Sequence, residues 1–320
     1  MISVGVFIHS FLNSPASRRF SSIHQSTRRT GKTAIGLDFA LSVHQWYHRP
    51  CRSDVFPDCE LRDATCRVAT EVVGQNRGVP APQPTIVATS IGFQPDGPDV
   101  WNLRPGPAYS LATQLAGAGR HPRLCIIGTA VGDNPMWLTA MHHAFSKLDM
   151  VVSHLSLFPM PNIDDIEDHL SRQDVIWVSG GSTANLLALW RLHGLDRSLR
   201  QAWEAGIVLM GVSAGSICWH LGGTTDSFGL PLQPLTNALG FLPYSNSPHH
   251  DAEPERRPLI HKLVGDGTLP AGYATDNGAG LIYHGTELHE AVTEKAGALA
   301  YEIHRHGDSA VETALPTRVL

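Results

Sequence analysis

At 320 residues and 42% hydrophobic content, the chain is long enough for one large globular domain or two small ones. Its net charge of −5 argues against nucleic acid or an anionic membrane surface as the main partner, and no apolar run approaches the roughly 20 residues of a membrane-spanning helix. Five cysteines without regular spacing do not make a disulfide framework and favour a reducing compartment such as the cytoplasm.

The first stretch differs from the rest. Met1–Val79 holds ten Lys/Arg against six Asp/Glu, about +4, which leaves about −9 for the remainder. Within it, Ser14–Arg29 is rich in serine and arginine and free of acids, a composition that predicts disorder. Gly31-Lys32-Thr33 ends like a phosphate loop, but the earlier glycine and a leading strand are missing. Cys51, Cys59 and Cys66 are spaced too widely for the usual zinc pattern, so no metal is expected there. Val79–Pro84 reads as an extended proline-rich linker. Residues 1–84 are therefore expected to be a poorly ordered basic extension, and residues 85–320 the organised domain.

From Thr85 onward short apolar runs alternate with helical patterns. Strands are predicted at Ile86–Ser90, Leu124–Gly128, Met150–Ser153, Val175–Val178 and Ile207–Met210, with helices near Tyr109–Ala116, Pro135–Leu148, Ile163–Leu170 and Asn185–Ala205. Strands this apolar imply an α/β fold around a mostly parallel sheet covered on both faces. Ligands bind such sheets beyond the carboxyl ends of the strands, where Thr129–Asp133 and Ser179–Ser182 supply small and polar residues. Gly272–Glu294 and Ala298–Arg305 read as short strands broken by turns, predicting an extension of the sheet rather than a second domain.

The most informative stretch is Ile207–His220. Gly211-Val212-Ser213-Ala214-Gly215 follows the apolar run and precedes a helix-compatible segment, the setting of a G-x-S-x-G nucleophile elbow. The serine sits at a sharp strand-to-helix turn, and the helix start behind it aims free backbone N–H groups at a developing oxyanion. A tight turn that happens to contain serine is the plainer reading. A serine nucleophile needs a base and a group to hold that base. His249 and Asp226 lie downstream in loop-like stretches, in the order Ser, Asp, His.

The elbow, Val178-Ser179-Gly180-Gly181-Ser182-Thr183 with Leu186-Leu187, Thr224-Thr225-Asp226 and Ser247-Pro248-His249 together resemble the peptidase E family of serine peptidases, the aspartyl dipeptidases. The resemblance covers about Thr85–Leu320. It implies a flavodoxin-like three-layer sandwich related to class I glutamine amidotransferases, with a C-terminal β extension. The implied activity is hydrolysis of small peptides, dipeptides with an N-terminal aspartate above all, without metal or other cofactor, by a monomer or homodimer.

Carried over, the resemblance makes Ser213 the nucleophile, His249 rather than His250 the base, and Asp226 the orienting acid, with Asp251, Glu253 and Asp276 as alternatives. Gly181 and Ala214 would supply the oxyanion N–H groups. Arg256 and Arg257 are the candidates for binding an aspartate side chain, although Glu253–Arg257 is equally readable as the charged start of a helix over Pro258–Leu263. Asp276-Asn277-Gly278 stands near the implied site, where a plain turn explains it as well. Cyanophycinase-like cleavage of an aspartate-arginine polymer is the related alternative. A non-catalytic domain of the same fold, docking through its basic arm, is the alternative of another class.

Overall fold

The computed structural model describes residues 81–98 and 102–320. The basic segment, Gly31-Lys32-Thr33 and Cys51, Cys59 and Cys66 lie outside the described residues. The last part of the proline-rich stretch is already docked, since the Ala81 N–H donates to the Gly206 carbonyl (3.2 Å) and Ala81 is buried.

In chain order the first elements are β1 (Thr85–Thr89), β2 (Gln94–Pro95), β3 (Leu103–Arg104), α1 (Pro107–Leu115), β4 (Arg123–Ile127), a 3₁₀ turn (Thr129–Val131), α2 (Pro135–Phe145), β5 (Val151–Leu155), α3 (Ile166–Ser171) and β6 (Val175–Val178). Then come α4 (Thr183–His193), α5 (Leu195–Glu204), β7 (Val208–Val212), α6 (Ala214–Ile217), β8 (Gly222–Thr225), β9 (Gln233–Leu235), β10 (Ser245–Pro248) and α7 (Arg256–Gly265). The chain closes with β11 (Gly272–Thr275), β12 (Ala279–His284), β13 (Glu287–Thr293), β14 (Ala300–His306), β15 (Ser309–Ala314) and β16 (Thr317–Val319).

The main sheet has the order β16-β13-β12-β1-β7-β6-β4-β5 and is parallel from β1 through β5. Successive strand residues feed opposite cores, as the pleat requires. Ile86, Ala88, Cys125, Ile127, Ile176, Val178 and Leu209 pack towards α4, α5 and α6, whereas Val87, Leu124, Ile126, Trp177 and Met210 pack towards α1 and α2. This is the expected three-layer α/β arrangement, and Trp177, Trp190, Trp203 and Trp219 are all buried in it. Antiparallel β12 and β13 extend the sheet beyond β1, as the C-terminal pattern predicts.

Two local differences have physical causes. The segment predicted as one helix over Asn185–Ala205 is two, because Gly194 adopts φ +71° and ends α4 while starting α5. A second sheet, ordered β15-β14-β11-β10-β8-β9, takes strands that the sequence pattern had attached to the main sheet. Its core joins Ile260, Leu263 and Val264 of α7 to Leu269, Ala274 and Ile303.

Candidate active site

Three carboxyl ends of adjacent parallel strands, β7, β6 and β4, converge here. Ser213 follows β7 directly and holds φ +56°, ψ −112°, a conformation that non-glycine residues rarely adopt and that costs about 1–3 kcal/mol. The flanking glycines make the turn possible. A Cβ on Gly211 would stand 2.0 Å from the Gly215 carbonyl oxygen, and one on Gly215 would stand 2.4 Å from that of Val178. The elbow is thus packed backbone on backbone against the end of β6.

Gly180 and Gly181 follow β6. A Cβ on Gly180 would come 3.2 Å from the Ser213 Cβ, which places the β6 turn against the nucleophile candidate. Gly181 takes φ +130°, available only to glycine without strain, and its Cα lies against the Ala130 carbonyl. Neither the Gly181 N–H nor the Ala214 N–H has an acceptor among the described residues. Two free donors flank a half-buried serine, as an oxyanion site requires.

The base candidate arrives from the second sheet. His249 follows β10, adopts φ +57° and is 7% exposed. Its Nδ1–H donates to the Asn277 Oδ1 (2.5 Å), which leaves Nε2 as the acceptor. Burial pushes the imidazole below its usual range and Arg256 pushes the same way; the Asn277 hydrogen bond and the charges of Glu253 and Asp226 oppose them. The ring is therefore held neutral, with a lone pair to accept a proton. The Ser213 hydroxyl has no hydrogen-bond partner among the described residues.

One residue that the sequence reading passed over ties these parts together. Ser90, at the end of β1, receives the His249 N–H at its Oγ (3.0 Å) and shares a hydrogen bond with the Thr275 hydroxyl (2.7 Å). Its carbonyl accepts the Gly278 N–H (3.0 Å), while the neighbouring Thr89 carbonyl accepts the Ser213 N–H (3.0 Å). The end of β1 therefore holds the elbow on one side and His249 and its Asn277 turn on the other. The available signal was a pair of hydroxyl residues at the end of a buried strand.

The remaining candidates occupy three settings. Asp226 is exposed and acts on His249 through charge. Arg256 is buried, donates to Glu253 (2.8 Å) and to the Thr224 carbonyl and hydroxyl, and lies close enough to depress the His249 imidazole. Arg257 lies instead in a cluster centred on Glu312, which receives Arg257 (3.1 Å), His250 (2.8 Å) and His261 (2.7 Å). Asp276 caps the Leu299 N–H (3.1 Å) and accepts the Tyr301 hydroxyl (3.2 Å), so its carboxylate faces the base of β14. His249 and Asn277 thus meet on one side of paired strand ends, while His250 and Asp276 are engaged with the C-terminal hairpin.

Comparison with known proteins identifies the family. The profile of peptidase family S51 matches residues 108–291. The chain is 44% identical over 201 residues to the uncharacterized peptidase YgaJ of Bacillus subtilis, covering 62% of this chain and 85% of that protein. It is 30% identical over 145 residues to peptidase E of Shewanella denitrificans, covering 42% of this chain and 61% of that one. The crystal structure of a peptidase from an acI-B1 Actinobacterium has the same fold, with a TM-score of 0.53 at 16% identity over 73% of this chain and 95% of that one. The chain belongs to peptidase family S51, the peptidase E family of serine peptidases.

Proposed function

We propose that this protein hydrolyses small peptides, dipeptides with an N-terminal aspartate above all, through an acyl-enzyme on Ser213. The observation that carries the reading is the strained Ser213 elbow flanked by the free N–H groups of Gly181 and Ala214, with a neutral His249 oriented by Asn277. Ser213 Oγ attacks the peptide carbonyl, and His249 Nε2 takes the hydroxyl proton and returns it to the leaving amine. The paired N–H groups stabilise the oxyanion. Water, deprotonated by the same imidazole, then releases the acid and regenerates the serine. Asp226 and Glu253 favour the transient imidazolium by charge, while Asn277 fixes the tautomer.

Arg256 and Arg257 are the candidates for the aspartate carboxylate: Arg256 lies nearer His249 but is buried against Glu253 and Thr224, whereas Arg257 is half exposed beside Glu312. Work in the cytoplasm fits the two buried free thiols, Cys125 and Cys218. The test is release of amino acid from Asp-Leu, Asn-Leu and Ala-Leu by the wild type and Ser213→Ala. Hydrolysis that survives Ser213→Ala overturns the mechanism; equal kcat/KM for Asp-Leu and Asn-Leu overturns the aspartate assignment.

A further inference from the structure

Beside the β6 turn lies an open cleft of about 470 Å³, in the size range of small-ligand pockets. Its link to the oxyanion turn is Ala130, which lines the cleft, accepts the Ser182 N–H (2.9 Å) and abuts the Gly181 Cα. One wall is the outward stripe of α4, Asn185, Ala188, Leu189 and Leu192, spaced at i, i+3, i+4 and i+7. The opposite wall is Phe158. Both Phe158 and Leu192 are large apolar side chains left mostly in water, 53% and 78% exposed.

The cleft is preformed. Buried Asp133, held at φ +50°, accepts the N–H groups of Leu157 (2.6 Å) and Phe158 (3.1 Å) at one carboxylate oxygen, which fixes the backbone that carries the phenyl wall. Beneath α4, Trp190 Nε1 donates to the Thr129 hydroxyl (3.1 Å), so helix and 3₁₀ turn keep a set distance. None of the lining residues is ionisable. A carboxylate placed here would lose water without gaining a cation, whereas an aliphatic or aromatic side chain would cover Phe158 and Leu192.

We propose that this cleft is a specificity subsite for an uncharged, apolar side chain of the peptide, the residue that follows the aspartate. The inference rests on the peptidase reading above, and it makes the protein selective at both residues of a dipeptide: charge at the first, apolar size at the second. Asp133 is then a positioning residue, acting through the Phe158 backbone.

The test is kcat/KM across Asp-Gly, Asp-Ala, Asp-Leu, Asp-Phe and Asp-Lys, with a parallel Ala-X series. Wild-type protein should favour Asp-Leu over Asp-Gly by about tenfold or more, as differences of a few methylenes do in apolar pockets. Ala188→Trp fills the cleft from an exposed helix position and should flatten that preference, leaving Asp-Gly within about threefold of wild type. Asn185→Asp should lower the rate for Asp-Leu and raise it for Asp-Lys. A flat wild-type series, or one whose slope survives Ala188→Trp, overturns the subsite. Failure of the peptidase reading is told apart by calorimetric titration of Ala-Leu into Ser213→Ala and the double variant with Ala188→Trp. Weaker binding to the double variant supports the cleft without any turnover, and equal binding or none to either overturns it.

Discussion

Three residues control how the site is poised. Ser213 keeps a conformation that only glycine adopts without strain. Ser213→Gly should therefore be more stable than Ser213→Ala by about 1 kcal/mol in urea denaturation, with both inactive. Asn277 is the only hydrogen-bond partner of the His249 ring among the described residues. Removing it in Asn277→Ala should cost about 1–3 kcal/mol of transition-state stabilisation, a roughly ten- to hundredfold fall in kcat. Asn277→Asp should instead put a carboxylate on Nδ1, raise the imidazole pKa and move the acidic limb of the kcat/KM profile to higher pH. Ser90 touches no substrate on this reading, yet it bonds the His249 N–H and the Thr275 hydroxyl. Ser90→Ala should lower kcat with little change in KM, and Ser90→Thr should restore part of it. A loss confined to thermal stability would show that Ser90 only braces the fold.

At the scale of elements, the elbow works because β7 and α6 meet through glycines. Gly215→Ala would drive a methyl group into the Val178 carbonyl, so we expect little soluble protein, whereas Gly92→Ala, where a Cβ would meet nothing within 4 Å, should behave as wild type. The C-terminal hairpin is joined to the site by a separate device. Glu312 on β15 takes hydrogen bonds from His250, which follows His249, and from His261 on α7. Burial depresses the His250 imidazole, while Glu312 opposes that shift. Here pattern reading has a clear limit: the turn-broken stretch Ala298–Arg305 identifies a strand at β14, but not which sheet it joins. The start of α2 follows from local chemistry, since Asn134 accepts the N–H groups of Met136 (3.0 Å) and Trp137 (3.1 Å) ahead of a first-turn proline.

Across the whole molecule, buried histidines set the response to acid. His220 is fully enclosed, its Nδ1–H donating to the Ser216 carbonyl (2.9 Å), and burial lowers its pKa from 6.5 to about 4. A folded pKa below the unfolded one means that the unfolded chain binds the proton first, so stability is full above about pH 6.5 and falls as pH drops towards 4. Near pH 4.5 this group alone should remove about 2–3 kcal/mol relative to pH 7. His249 and His250, depressed in the same direction, add to the loss. Urea denaturation at the two pH values checks this, and His220→Gln should flatten the dependence. Equal sensitivity in that variant would assign the effect elsewhere. Among the described residues no helix is long and apolar enough to cross a membrane.

The sequence by itself determined the class of fold, the parallel core strands, the elbow around Ser213 and the family. Each of these is written in local order: apolar runs of strand length, glycines two residues either side of a serine, and hydroxyl-rich or glycine-rich strand ends. The tertiary structure alone decided which side chain holds His249, which arginine lies near it, and that Ser90 links the elbow to His249 across 159 positions of chain. Asn277 could not be preferred over Asp226 or Asp276 from spacing, because a hydrogen bond depends on where β10 and β11 end in parallel register, not on residue type. The cleft beside Gly181 was hidden for the same reason. Its two walls come from stretches about thirty residues apart, and only the packing of α4 beside the 3₁₀ turn brings them to face each other.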